Sequence, residues 1–114
     1  MSSVPENDWK VLSGLKANLL NSVCETIFQR IDQVSSDRKG REHESYLELW
    51  KLMSKEDDAI AEMFNDLKRS NALFKIAALK HYGVLTDEQL TLFSPETQDE
   101  VARLLGKTWD AEEN

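Results

Sequence analysis

Residues 71–83, which read NALFKIAALKHYG, constrain the fold more than any other segment of the chain. Eight of the first twelve residues are apolar, and on a helical wheel they spread around the whole circumference. A helix that is apolar on all sides belongs in the interior of a fold, and at about 18 Å it is too short to span a membrane. This pattern predicts a central buried helix with the remaining helices packed around it.

Both ends of this central segment carry helix-boundary residues. Ser70 and Asn71 are suited to cap its start, and Gly83 is suited to the left-handed position after a helix end. Lys80 and His81 fall in the last turn, where a positive charge complements the helix dipole.

The segment before it predicts a long helical hairpin. Apolar residues recur on one helical face over about residues 8–34, with Asn7 or Asp8 as the cap: Trp9, Leu12, Leu20, Val23, Ile27, Ile31 and Val34, widened by Leu19, Cys24 and Phe28. A polar connector follows at 35–41, with Gly40 as its loosest point. The second helix begins near Arg41 or Glu42, and its opening block, residues 46–53, is apolar over roughly 220° of the wheel.

Two interpretations of the chain after residue 53 stay open. In the preferred one, a single helix runs over about 42–69, because the stripe of Ile60, Met63, Phe64 and Leu67 continues in phase. In the other, Ser54 caps a new helix, with Asp57 completing a motif like a capping box.

The C-terminal part carries clear start signals for short helices. Thr86 and Gln89 form a capping box, with Leu85 and Leu90 placed for a hydrophobic staple, and this helix is expected to end at Phe93. Ser94, Pro95 and Glu96 then start a last helix that Gly106 ends, and Trp109 is expected to fold back over the core. The fold class is therefore all-α: a single helical domain over 1–114, with frayed ends at about 1–7 and 110–114. It is a small bundle built on a long antiparallel hairpin with two or three shorter C-terminal helices. The predicted core includes Leu20, Ile27, Phe64, Leu73, Ile76, Leu79 and Val101.

Composition and charge exclude several function classes. The N-terminal residues lack the basic and apolar regions of a signal peptide, and a single cysteine, Cys24, suits a reducing compartment, so we expect a cytoplasmic protein. The net charge is −7, and residues 83–114 carry 2 basic against 8 acidic residues, a net of −6. An acidic C-terminal quarter argues against binding to a nucleic-acid backbone.

No constellation of residues indicates an enzyme, a cofactor site or a metal site. His43 and His81 each lack a second histidine or a carboxylate four residues away, and Glu25 beside Cys24 opposes formation of a thiolate. The sequence contains no phosphate-binding glycine loop. Residues 81–93 have the rhythm of a helix-turn-helix, but their second helix begins with acids where phosphates require bases. We therefore expect no catalytic, cofactor-binding or metal-binding residues.

Two functional hypotheses remain. The first is a non-enzymatic protein–protein interaction or regulatory module that forms a homodimer, because residues 46–53 carry more apolar circumference than one chain can bury. An antiparallel pairing of two hairpins would give a four-helix contact, with Tyr46, Leu47, Trp50 and Leu52 at its interface. The alternative is an acidic decoy whose C-terminal carboxylates occupy a basic, nucleic-acid-binding partner. Salt separates the two, because decoy binding weakens at high ionic strength whereas apolar binding persists.

Overall fold

The structure is a computed structural model that describes residues 3–110, with side chains through Trp109. All regular structure in this part of the chain is helical, which confirms the all-α class. The α-helices are Glu6–Ser36 (α1), Glu42–Phe64 (α2), Ala72–His81 (α3), Asp87–Leu90 (α4) and Pro95–Leu105 (α5). None of these helices is both long and apolar enough to cross a bilayer.

The helices α1 and α2 form the predicted antiparallel hairpin. At 1.5 Å per residue they are about 46 Å and about 35 Å long, and they run along a molecule that measures 53 × 33 × 25 Å. The helix α1 continues through Ser36, so the connecting turn is shorter than the predicted 35–41. Gly40 in this turn has a φ of 82°, a left-handed conformation that favours glycine.

The central segment folds as expected. Seven residues of α3 are buried, because α1, α2 and α5 all pack against it. Its C-terminus is closed by two backbone hydrogen bonds, from Gly83 N–H to the Lys80 carbonyl and from Val84 N–H to the Leu79 carbonyl. These bonds and the φ of 74° at Gly83 form a Schellman motif, as its sequence predicts.

The prediction that α2 runs to residue 69 is wrong. The helix ends at Phe64, and Asp66 then takes a left-handed φ of 55°. The side chain of Asn71 holds this turn: its Nδ2 donates to the Asp66 carbonyl and its Oδ1 accepts from the Lys68 N–H. Asn71 therefore stands at the start of α3 but its side chain stabilises the preceding turn and does not cap α3. Helix α2 is also continuous through Ser54, so the alternative of a new helix at that residue is not seen.

The C-terminal helices start as predicted and end differently. Both hydrogen bonds of the Thr86–Gln89 capping box are present, and the Ser94 hydroxyl accepts a hydrogen bond from the Thr97 N–H. Helix α4 stops at Leu90, three residues before the expected end at Phe93, because the backbone continues in tighter i to i+3 turns. Gly106 follows the end of α5 with helical torsions, and the chain continues in a π-helical turn, Gly106–Asp110.

The two ends of the described chain are held by packing. Val4 is buried, and Arg69 Nε donates a hydrogen bond to its carbonyl, so the expected fraying over 1–7 does not extend to Val4. Trp109 folds back as predicted and stacks on Phe74 and His81 with ring centroids 5.7 and 4.7 Å away. The fraying expected over residues 1–2 and 111–114 lies outside the described residues.

The predicted core is confirmed. Six of its seven residues are buried, and Leu20 is partly buried against them. The core also includes residues from the C-terminal segments, such as Leu85, Phe93 and Trp109. It occupies the end of the hairpin where α3, α4 and α5 pack, and we call this part of the molecule the packed end.

Candidate interaction surface

The other end of the hairpin carries large apolar side chains in solvent. We call residues 24–56, which comprise the last turns of α1, the connecting turn and the first turns of α2, the arm. Four of its large side chains are about half exposed or more, and we call them the arm face: Phe28 (61%), Tyr46 (55%), Trp50 (62%) and Met53 (47%). Such a concentration of aromatic residues is typical of a protein-binding surface.

Helical register places these four side chains on one side of the hairpin. Phe28 directly follows the buried Ile27, and Tyr46 directly follows the buried Ser45. Each exposed residue is rotated by about 100° from the buried residue before it. Because the two helices run antiparallel, this rotation turns both side chains toward the same side of the hairpin. The Arg30–Glu56 ion pair aligns the two helices along the hairpin, and it places Phe28 nearer to Met53 than to Tyr46. The four residues therefore lie on the same side of the hairpin.

The same stripe of α2 is buried further along. Tyr46, Trp50 and Met53 lie within about 60° of one another at 100° per residue, and Ile60 and Phe64 continue the stripe in register. Phe64 is buried and Ile60 partly buried within the core of the packed end. The stripe thus leaves the core and continues into solvent along the arm.

The predicted interface residues divide into exposed and covered ones. Tyr46, Leu47 and Trp50 are exposed, whereas Leu52 is partly buried. Leu47 lies on the outer side of α2, about 100° round from Tyr46, so it is at the margin of the arm face. Phe28 was expected in the buried stripe of α1 but is exposed, because no helix in the described part of the chain covers this side of the arm. The sequence could not predict the exposure of Phe28, since the apolar period of α1 does not indicate how far the covering helices extend along it.

The tip of the arm, residues 35–44, carries charged side chains that hydrogen bonds hold in place. Arg38 Nη1 donates to the carbonyl and hydroxyl oxygens of Ser35, and Arg41 pairs with Glu44 at 2.7 Å. The hydrogen bond and the charge of Glu44 raise the pKa of Arg41. Hydrogen bonds from the backbone N–H groups of residues 42 and 40 lower the pKa of the Glu42 carboxyl. Both shifts favour the charged forms of Arg41 and Glu42.

A groove lies on the opposite side of the hairpin. It has a volume of about 640 Å³ and runs between α1, α2 and the turn after α3, with Val23, Met63 and Val84 on its apolar lining. Its polar margin includes Arg30 and Glu56, which pair with each other at 2.5 Å. Because Arg30 and Glu56 pair with each other, neither side chain is free to bind a charged ligand in the groove.

A buried carboxylate joins the two termini of the fold. Asp8 is 3% exposed, and it accepts hydrogen bonds from Ser94 N–H (2.8 Å), Ser94 Oγ (2.7 Å) and Thr97 Oγ1 (2.6 Å). Burial raises the pKa of Asp8, but the hydrogen bonds from Thr97 and Ser94 together lower it further, to below its ordinary value. Sequence analysis expected Asp8 as a cap of its own helix, and it instead stabilises the start of α5.

A buried lysine closes the end of α2. Lys75 Nζ donates to the carbonyls of Ala61 and Glu62 at 3.2 and 2.9 Å, in the last turn of α2, where carbonyls lack partners within the helix or have only one. Burial lowers the pKa of Lys75. The role of this residue is structural, because its amine is directed at the backbone of the same chain.

The residues considered for chemistry lie apart from one another. His81 stacks on Trp109 in the packed end, whereas His43 lies at the arm tip beside Tyr46. Cys24 is partly buried on α1. Within residues 3–110, no three histidine, cysteine or acidic side chains are grouped closely enough to hold a metal ion.

The acidic C-terminal quarter is partly neutralised by ion pairs. Asp87 pairs with Lys80 at 2.5 Å, and Glu100 pairs with Arg103 at 2.8 Å. Of the eight acids after residue 82, three lie at residues 110, 112 and 113, where the side chains are outside the described part of the chain.

Comparison with known proteins gives no further assignment. The chain matches no protein-family model, no curated protein sequence and no solved structure.

Proposed function

We propose that this protein is a non-enzymatic protein–protein interaction module that forms a homodimer through the arm face. The observation that carries the proposal is the apolar stripe of α2, which passes from the core at Phe64 to open solvent at Trp50 and Tyr46. Burying such a stripe is favourable by roughly 25 cal/mol per Å² of apolar surface. Binding of a partner that covers the stripe is therefore favoured by the same burial of apolar surface that stabilises the packed end.

The type of residue on the arm face also supports this proposal. Tryptophan and tyrosine dominate the energetics of protein interfaces, because they bury a large area at a small cost in side-chain entropy. The depression that Trp50 borders with Lys51 and Ser54 is wide open to solvent, unlike the enclosed sites that bury a small molecule.

The acidic-decoy alternative draws less support. A decoy requires carboxylates that are free to meet basic groups of a partner, and two of the five acids described after residue 82 already pair with basic side chains of this chain. The proposal therefore rests on the arm, and the acidic quarter is assigned to solubility.

Sedimentation equilibrium tests the proposed function with a matched pair of variants. Trp50→Glu and Leu92→Glu each place a charge on an apolar side chain of similar exposure, 62% and 58%, but only Trp50 lies on the arm face. We expect a dimer for the wild type and for Leu92→Glu at tens of micromolar, and a 13.1 kDa monomer for Trp50→Glu. Circular dichroism checks that both variants keep their helix content. A wild-type protein that stays monomeric would refute the proposal.

A further inference from the structure

The arm contains far fewer buried residues than the packed end. Only Ile27 and Ser45 of the arm are buried, whereas seven of the ten residues of α3 are. Ile27 belongs to the hydrophobic core of the packed end, so residues 28–56 contain no buried apolar side chain. Helices in proteins derive most of their stability from burying an apolar face. The two helices of the arm are therefore held together weakly.

The second buried residue of the arm, Ser45, opposes the pairing of its helices. Ser45 is 4% exposed, and its Oγ has no hydrogen-bond partner in the described part of the chain. A buried hydroxyl that has lost its bonds to water without replacing them destabilises the structure that buries it. Opening of the arm returns this hydroxyl to water.

Ion pairs add little to the contact between the two helices of the arm. Within residues 3–110, one ion pair joins them, between Arg30 and Glu56. The Arg30 side chain is 48% exposed, and ion pairs in solvent stabilise proteins only weakly. Glu56 is the last residue of the arm, so this pair closes the arm where it adjoins the packed end. No described ion pair joins the two helices nearer the tip.

Resting on the proposed function, we propose that the arm opens as a separate unit while the packed end stays folded, and that this opening disables the arm face. Local unfolding takes place where few apolar side chains are buried. The arm portions of the two helices, 24–36 and 42–56, are near the length of about 12–15 residues below which an isolated helix is marginal in water. Phe28 lies on α1 and Trp50 on α2, so the arm face exists only while the two helices are paired.

Binding of the second copy opposes this opening. A partner that binds only the closed arm shifts the equilibrium toward the closed state by mass action, and burial of the arm face adds the apolar contacts that the arm lacks. Conversely, heat or denaturant that opens the arm releases the second copy before the packed end unfolds. Opening of the arm therefore regulates dimerisation.

Native-state hydrogen exchange tests whether the arm opens separately. The measurement is made on the full chain in a Trp50→Glu background, in which the proposed dimer does not form. We expect the amides of residues 31–55 to have protection factors roughly 100-fold or more below those of the slowest amides of α3. Equal protection of the two regions would overturn the inference.

Two stabilising substitutions separate local opening from global unfolding. Gly14 lies in α1 outside the arm, so Gly14→Ala should raise the protection factors of the slowest α3 amides roughly 2- to 5-fold and leave those of the arm unchanged. Ser45→Ala removes the unpaired hydroxyl within the arm and should raise both, by roughly 5- to 30-fold. If Gly14→Ala raised both regions equally, the arm would open only with the whole chain, and the inference would be overturned.

The dependence on protein concentration tests the link to the second copy. In the wild type, protection of the arm should rise with concentration up to tens of micromolar, whereas in Trp50→Glu it should stay constant. A dimer whose formation leaves the arm equally protected overturns the inference alone. A wild type that stays monomeric in sedimentation equilibrium refutes the proposed function, and the Gly14→Ala comparison still decides whether the arm opens separately.

Discussion

The packed end and the arm are built from the same two helices and differ in what covers them. At the packed end, Leu12, Met63 and Ile76 are each 2% exposed or less, whereas Phe28 and Trp50 on the arm are more than 60% exposed. The difference arises because α3, α4 and α5 together are much shorter than the hairpin. The pattern of an amphipathic helix therefore indicates that its apolar face needs a partner, but not whether that partner belongs to the same chain.

The largest expected effect contrasts one residue from each region. Ile76→Ala should lower the free energy of unfolding by about 2–5 kcal/mol, because it opens a cavity in a fully buried site. Trp50→Ala removes a larger side chain but should cost less than about 1 kcal/mol in the monomer, because the side chain is mostly in solvent. Urea titration at a protein concentration that keeps the chain monomeric measures both. Equal costs would show that the arm is packed as tightly as the core.

A smaller effect tests the polar contact that joins α1 to α5 at the packed end. Asp8→Asn should cost about 2–4 kcal/mol at neutral pH, because the hydroxyls of Ser94 and Thr97 lose the oxygen that accepts from them and the Ser94 N–H loses a charged acceptor. The matched control is Asp32→Asn, an exposed acid on the arm portion of α1, which should change stability by less than about 0.5 kcal/mol.

The same carboxylate makes the packed end sensitive to acid. Because folding lowers the pKa of Asp8 below its ordinary value of 3.8, ionised Asp8 stabilises the folded state fully above that pH. This contribution is lost as the pH falls through the lower pKa of the folded state. The stability difference between wild type and Asp8→Asn should therefore shrink below about pH 4. A difference that stays constant from pH 7 to pH 2 would contradict the role assigned to Asp8.

The smallest expected effects concern two glycines of the hairpin. Gly14 lies inside α1 with open space where a side chain would be added, so Gly14→Ala should stabilise the protein by about 0.5–1 kcal/mol. Gly40 at the arm tip has open space too, but its φ of 82° strains any other residue, so Gly40→Ala should destabilise by about 1 kcal/mol. Thermal unfolding of the two variants should shift in opposite directions. A shift in the same direction would contradict the left-handed turn at the tip.

Much of the fold was predictable because its signals are local. The Thr86–Gln89 box, the Ser94 cap and the Gly83 helix end each depend on residues three to five positions apart, and all three are present. The period of the apolar residues likewise predicted the core, since the buried face of a helix follows from its own sequence.

The end of α2 could not be predicted for the opposite reason. The apolar stripe continues in phase to Leu67, so local pattern favours a longer helix. The helix stops at Phe64, where Lys75 donates to the carbonyls of residues 61 and 62 and Asn71 donates to that of residue 66. The two bonds from Lys75 form only once α3 has packed against α2, and the apolar period of α2 does not indicate that packing.

The sequence by itself determined the helical class, the central position of α3 and the presence of more apolar surface around Trp50 than one helix pair can cover. Only the tertiary structure decided that Asp8 reaches Ser94 across 86 positions and that Phe28 joins Tyr46, Trp50 and Met53 on one exposed side. Helix formation and capping depend on a few neighbouring torsions, which neighbouring residues fix. Exposure depends on how far the other helices extend over the hairpin, and that is a property of the whole packed chain.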